Sequence, residues 1–205
     1  MRRRDLIALG LLAAAAPTRL LADARGRADP SADFARRLSD AAISRTERRV
    51  FYDGGYRRIA YPMGDVPDHL GVCTDLVIRA YRAVGVDLQQ LVHEDMSRAF
   101  RRYPQAWGLS RPDTNIDHRR VLNLERFFER QNAALRVSDD PRAYRAGDLA
   151  TYRVAGGRPH IGVVTHRRGW TGRPLVAHNI GLGPQLEDFL FAYPIIGHYR
   201  FHPAL

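Results

Sequence analysis

The chain contains a single cysteine, Cys73, and its position is chemically informative. It stands where a loop rich in Gly, Pro and Asp, Pro62 to Gly71, gives way to an apolar repeat of helical spacing. A thiol at a helix start faces the positive end of the helix dipole and free backbone N–H groups, which lower its pKa. The same N–H groups, that of Cys73 included, can hold an oxyanion. A thiol nucleophile also needs a base, and the base needs a group to orient it. His160 heads the alternating stretch His160-Ile161-Gly162-Val163-Val164, and a strand end is a good perch for a base. Arg158 to Leu186 contains no Asp or Glu, so no carboxylate follows the histidine within that interval. The polar candidates for the third position are His178 and Asn179 on the next strand. Successive strand side chains point to opposite faces, so only one of the two faces His160. This set would let Cys73 attack an amide carbonyl as a thiolate. His160 would take the thiol proton and return it to the leaving amine. His178, with Asn179 as the alternative, would hold the His160 ring.

The elements that position these residues follow from periodicity. Phe34 to about Val50 is amphipathic and reads as a helix. Tyr52-Asp53-Gly54-Gly55-Tyr56 is a turn. From Cys73 to Val84 the apolar residues Leu76, Val77, Ala80, Tyr81 and Val84 recur at helical spacing, and Gly85 supplies the stop. A further helix covers Leu88 to Phe100. Pro104 to Arg120 is polar and turn-rich. Asn123 is placed to cap a helix bearing Leu124, Phe127, Phe128 and Leu135. After the break at Asp139-Asp140-Pro141 the character changes. Asp148–Val154, Ile161–Thr165, Leu175–Ile180 and Ile196–Phe201 read as strands, and Asp148 as a turn former. Helices followed by strands predict an α+β domain, helices packed on a mainly antiparallel sheet, over residues 34–205.

The chain has 205 residues, 32 basic and 22 acidic, for a net charge of +10, and mean hydropathy is −0.37. Every basic residue is Arg. The arginines are scattered with no stripe of interleaved aromatics, so nucleic acid is not the expected partner. Leu6–Ala16 is too short to span a bilayer, which takes roughly 20 residues, so no transmembrane anchor is expected. Basic Arg2-Arg3-Arg4, the apolar run and Ala22-Asp23-Ala24 have the three-part form of a secretory signal over residues 1–24. The paired arginines before a mild apolar run resemble a twin-arginine signal. A flexible tail, residues 25–33, follows. The expected destination is the periplasm or the exterior, where unpaired cysteines are uncommon. Cys73, lacking an intramolecular partner, is therefore inert and buried, joined to another chain, or kept for its thiolate. Its neighbourhood favours the last.

The arrangement resembles the NlpC-type and CHAP-type papain-like cell-wall hydrolases. Their upstream pattern, Tyr-x-x-Gly, then Pro, then the nucleophile and a small polar residue, reads here as Tyr61-Pro62-Met63-Gly64, Pro67 and Cys73-Thr74. Their Gly-Asp-Leu and His-x-Gly patterns read as Gly147-Asp148-Leu149 and His160-Ile161-Gly162. Their third polar residue falls at His178. The chain also resembles a secreted bacterial family, domain of unknown function 1287, in Gly71-Val72-Cys73-Thr74-Asp75, Val92-His93-Glu94-Asp95-Met96, Asn115-Ile116-Asp117-His118-Arg119-Arg120 and His178-Asn179-Ile180-Gly181. The resemblance implies a papain-like fold and peptidoglycan or its peptide fragments as partner. It puts Tyr61 beside the oxyanion position and Asp75 among the substrate-binding residues. NlpC-type enzymes place Asp directly before the nucleophile to read a substrate amine. Here Val72 occupies that position and Asp75 follows Cys73.

Other signals are weaker. His93-Glu94-Asp95-Met96-Ser97 has Ser97 where a zinc-protease helix requires a second His. Asp117, His118 and His93 lack metal-ligand spacing. No cofactor or metal is expected. The 115–120 loop would either bind substrate carboxylates through Arg119 or Arg120 or be a structural turn. Three function classes follow: a thiol hydrolase of cell-wall peptide or amide bonds, a catalytically silent papain-like binding protein of the envelope, and a metal-dependent hydrolase.

Overall fold

The computed structural model describes residues 29–203, so the expected export signal and the first part of the expected tail lie outside the described residues. The first helix, α1, runs Pro30–Arg45. It begins at Pro30 rather than Phe34, because Asp29 accepts from the Ser31 N–H and Pro30 supplies a preset first turn. Residues 30–33 are therefore helical and not tail. Two short parallel strands follow, β1 Phe51–Tyr52 and β2 Leu70–Gly71. Helix α2 is Cys73–Ala83 and stops at Val84 and Gly85, whose φ of 88° suits glycine. Helix α3 is Leu88–Ala99, capped by the Asp87 carboxylate.

Helix α4 spans Val121–Arg130. Asn123 is not its cap but lies inside its first turn, where the side-chain amide donates to the Asp117 carbonyl. Leu135 is not helical either. It belongs to β3, Ala134–Leu135. The remaining strands are β4 Leu149–Val154, β5 Arg158–Arg168, β6 Pro174–Asn179, β7 Pro184–Glu187 and β8 Ile195–Tyr199. They form one antiparallel sheet with β3, in the order β3-β8-β4-β5-β6-β7. The fold is therefore α+β, as the order of helical and strand patterns predicts.

Strand alternation divides the core in two. Leu149, Ile161, Val163, Ala177 and Tyr199 face the helices and pack with Leu38, Leu76, Val77, Tyr81, Leu124 and Phe128. Ala150, Tyr152, Val154, Val164 and Val176 face the other way and are covered by Tyr144, Phe189 and Leu190. Asp148, expected at a turn, accepts the Arg145 N–H there and binds two residues near the chain's end. His198 Nε2 lies 2.7 Å from its carboxylate, and the Arg200 guanidinium approaches to 2.7 and 2.8 Å. The β4 entry is thereby tied to the C-terminal end of β8.

Candidate active site

Cys73 is the first residue of α2, so its N–H has no intrahelical acceptor. Two residues upstream, Gly71 of β2 pairs with Tyr52 of β1, and this short ladder sets the Tyr52 phenol against the thiol. The Tyr52 phenol and the N–H groups of Ile161 and Thr74 lie close enough to the Cys73 sulfur to act on its ionisation. The β5–β6 ladder ends at the pair Gly162–His178, and Ile161 lies one residue beyond it. The sulfur thus meets the sheet where two central strands part. Ile161 is joined by one peptide bond to His160.

His160 and His178 are both buried. They lie on the sheet face away from α2, against Tyr152 and Phe189. His160 Nε2 is 3.1 Å from His178 Nδ1, and His178 Nε2 is 3.0 Å from the Glu187 carboxylate. An ionised carboxylate only accepts, so His178 Nε2 donates to it. A neutral His178 then offers its Nδ1 lone pair to the His160 Nε2–H. This leaves the His160 Nδ1 lone pair with no protein partner. His160 lines a cleft of about 430 Å³ together with Tyr52, Arg158, Gly181 and Tyr193, among others. No hydrogen bond joins Cys73 to His160 among the described residues.

Burial governs the protonation of the pair. It pushes the Cys73 thiol up to about 11, against the N–H groups of Ile161 and Thr74, with Asp75 adding to the rise. This reverses the expectation of a lowered thiol pKa, because desolvation of the anion outweighs the helix start. His160 is pushed down to about 3, by burial first and by His178 second. His178 is also lowered by burial, with Glu187 opposing. At neutral pH the resting site holds a neutral thiol and a neutral imidazole.

The other sequence candidates are placed elsewhere. Asn179 donates to the Gly71 carbonyl at 3.4 Å and does not bond His160. Tyr61 stacks edge-on against His93, with ring centroids 5.0 Å apart, while Tyr52 touches the thiol. Asp75 and Arg119 are both buried and held to each other at 2.8 and 3.0 Å. Asp75 also accepts the Val72 N–H, and Arg119 donates to the Asp53 and Gly55 carbonyls. The pair is consumed in fixing the Tyr52 strand to α2, and neither residue lines the cleft. Arg120 bonds Asp117 and covers the Trp107 ring, so the 115–120 loop is a structural turn.

Sequence reasoning missed Tyr52 and Glu187. A two-residue strand has no periodicity to read. Glu187 lies immediately past the interval searched for a carboxylate, on a strand whose Pro-Gln-Leu-Glu composition carries no strand signal. Gly162 explains the small residue of His-x-Gly. A Cβ there would come within 2.5 Å of Val176 Cγ1 and 3.1 Å of His178 Cβ, pushing β6 and its histidine away.

Residues 39–201 match the family described as Domain of unknown function (DUF1287). A relative from Escherichia coli (strain K12), "Uncharacterized protein YijF", is 51% identical over 164 residues, 80% of each chain. Among solved structures, NlpC1 from Trichomonas vaginalis is similar with a TM-score of 0.44 and 16% identity, over 85% of this chain and 46% of that one. An NLP/P60 family protein, similar to lipoprotein, from Staphylococcus aureus subsp. aureus Mu50 has a TM-score of 0.39 and 13% identity, over 83% and 42%. The chain spans less than half the length of these two solved structures. By the extent of its family match and its identity to the Escherichia coli relative, the chain belongs to the family of Domain of unknown function (DUF1287).

Proposed function

We propose that the protein is an exported, papain-like thiol hydrolase that cleaves amide or peptide bonds in peptidoglycan peptides. The observation that carries this reading is the joint of α2, β5 and β6. A cysteine at a helix start meets the strand end beside His160, which lines a cleft and whose Nε2 is held by His178.

The chemistry starts from the neutral pair. His160 Nδ1 takes the Cys73 thiol proton as sulfur bonds to the carbonyl carbon, and the oxygen gains the charge. The Cys73 N–H and the Tyr52 hydroxyl stabilise that oxygen. The C–N bond then breaks, the amine leaves with the proton from His160, and a thioester remains. Water attacks the thioester, His160 takes a proton from the water, and the thiol is restored as the acid departs. The His178–Glu187 pair keeps the His160 Nδ1 lone pair directed at the reaction throughout.

Incubation of the signal-free chain with purified peptidoglycan and muropeptides, with Cys73→Ala as control, tests this reading by product mass. New products that require Cys73 and persist in chelators support it. Their absence turns the assignment to the second reading, a catalytically silent envelope binding protein. That reading is favoured by one observation, the buried, high-pKa thiol without a hydrogen bond to His160. Export itself is tested by the mature N-terminus, expected near Arg25. Replacement of Arg3 and Arg4 by Lys blocks export only on the twin-arginine route.

A further inference from the structure

The wall of the cleft carries one charged side chain, beside the neutral His160. Arg158 opens β5, two residues before His160, and lines the same cleft. The lining holds no Asp or Glu; it is otherwise Tyr52, Tyr193 and small or aliphatic residues. The Arg158 Nε donates to the Ala155 carbonyl at 3.1 Å, which fixes the stem and leaves the two terminal nitrogens unpaired. The nearest arginine in sequence, Arg153, is by contrast bound to Glu125. Among the described residues no carboxylate pairs with Arg158. Its charge also reaches the Tyr52 phenol, which touches the thiol.

A planar guanidinium with free donors in a concave site is matched to a carboxylate, which it binds bidentately. The position ahead of the nucleophile, where a carboxylate would read a substrate amine, is Val72, and the nearest acid, Asp75, is sealed against Arg119. The cleft therefore has the opposite polarity to an amine-reading site.

We infer that Arg158 is a specificity-determining residue that binds a free carboxylate of the substrate peptide close to the scissile amide. The inference rests on the hydrolase reading for its substrate class, but its test reads binding and not turnover. The chain with Cys73→Ala is titrated calorimetrically with a tetrapeptide muropeptide whose carboxylates are free, and with the same molecule fully amidated. The free form should bind about tenfold or more tighter, the scale of a charge-assisted pair. Arg158→Gln should abolish that preference, and Arg158→Lys should keep part of it. Arg158 is exposed, so both variants should melt like the parent. Equal binding of the two probes, no binding of either, or a preference that survives Arg158→Gln overturns the inference. A preference that depends on Arg158 in a chain that turns nothing over would overturn hydrolysis and leave the carboxylate site standing.

Discussion

A cysteine beside a histidine can rest as an ion pair or as two neutral groups, and the environment decides which. Here both charged forms are penalised by burial, so the thiol rises to about 11 and the imidazole falls to about 3. At about pH 7 a thiol with that pKa is ionised to roughly one part in ten thousand, against a few per cent for a free thiol. Iodoacetamide should therefore label Cys73 a few hundredfold more slowly than a free thiol near neutrality, with the rate climbing steadily into the alkaline range. Labelling faster than a free thiol at neutral pH would overturn the neutral resting state. Under the proposed mechanism the same assignment makes kcat/KM flat across the middle of the pH range, since neither Cys73 nor His160 titrates there. Glu187 acts at one remove, through two imidazoles, on which nitrogen of His160 is free. Glu187→Ala should cost about 10- to 100-fold in kcat, the usual weight of a group that orients a catalytic or metal-bound imidazole. Glu187→Gln, which keeps an acceptor oxygen, should recover much of it. Equal losses in both variants would mean that Glu187 serves the fold of β7 only. The cysteine and the histidines stood out in the sequence by type and spacing. The glutamate did not, because its role exists only once β6 and β7 are paired.

Elements with a strong period were legible and short ones were not. The repeat Leu76, Val77, Ala80, Tyr81 outlines α2, and the observed helix starts at Cys73 and stops before Gly85 as read. The central strands β4, β5, β6 and β8 were readable because both of their faces are buried and rich in apolar residues. Strands β1, β2, β3 and β7 are edge or two-residue segments defined by their partners, and no local pattern announces them. That is why Tyr61, in a recognisable motif, was expected where Tyr52 stands. The alignment of β1 with α2 depends on a buried ion pair that ties Asp75 on α2 through Arg119 to the carbonyls of Asp53 and Gly55. Removing one partner of such a pair strands the other charge in the interior. Arg119→Ala should therefore cost about 3–5 kcal/mol in urea unfolding. If Asp75 and Arg119 bound substrate instead, each variant would raise KM and leave stability almost unchanged. Unfolding curves and KM measured on Arg119→Ala and Asp75→Ala separate these outcomes.

The molecule as a whole seals several histidines in its interior without their protons. His118 and His160 are both buried, and both are pushed down to about 3, in each case by desolvation first. His178 and His202 are displaced in the same direction. Each such histidine regains a pKa of about 6.5 when the chain unfolds. The unfolded state then binds the proton that the folded state refuses. The stability contributed by the neutral, buried form is present above about pH 6.5 and is lost as the pH falls toward the folded pKa. From about pH 7 to about pH 5, each of the two most displaced histidines should cost about 2 kcal/mol. Burial raises Asp148 and Asp95, but hydrogen bonds from His198 and Arg200 to the first and from Arg130 to the second outweigh it. Both stay lowered and lose their contribution only at more acidic pH, so this window isolates the histidines. Asp117, raised by its own burial, works against them by taking up a proton in the folded state. Urea unfolding should accordingly show a midpoint that falls steeply between neutral and mildly acidic buffers. His118→Gln should remove roughly half of the slope owed to His118 and His160. A midpoint that stays level through this window would mean that these histidines are solvated or paired in solution. The neutral resting state argued for His160 would then fail with it.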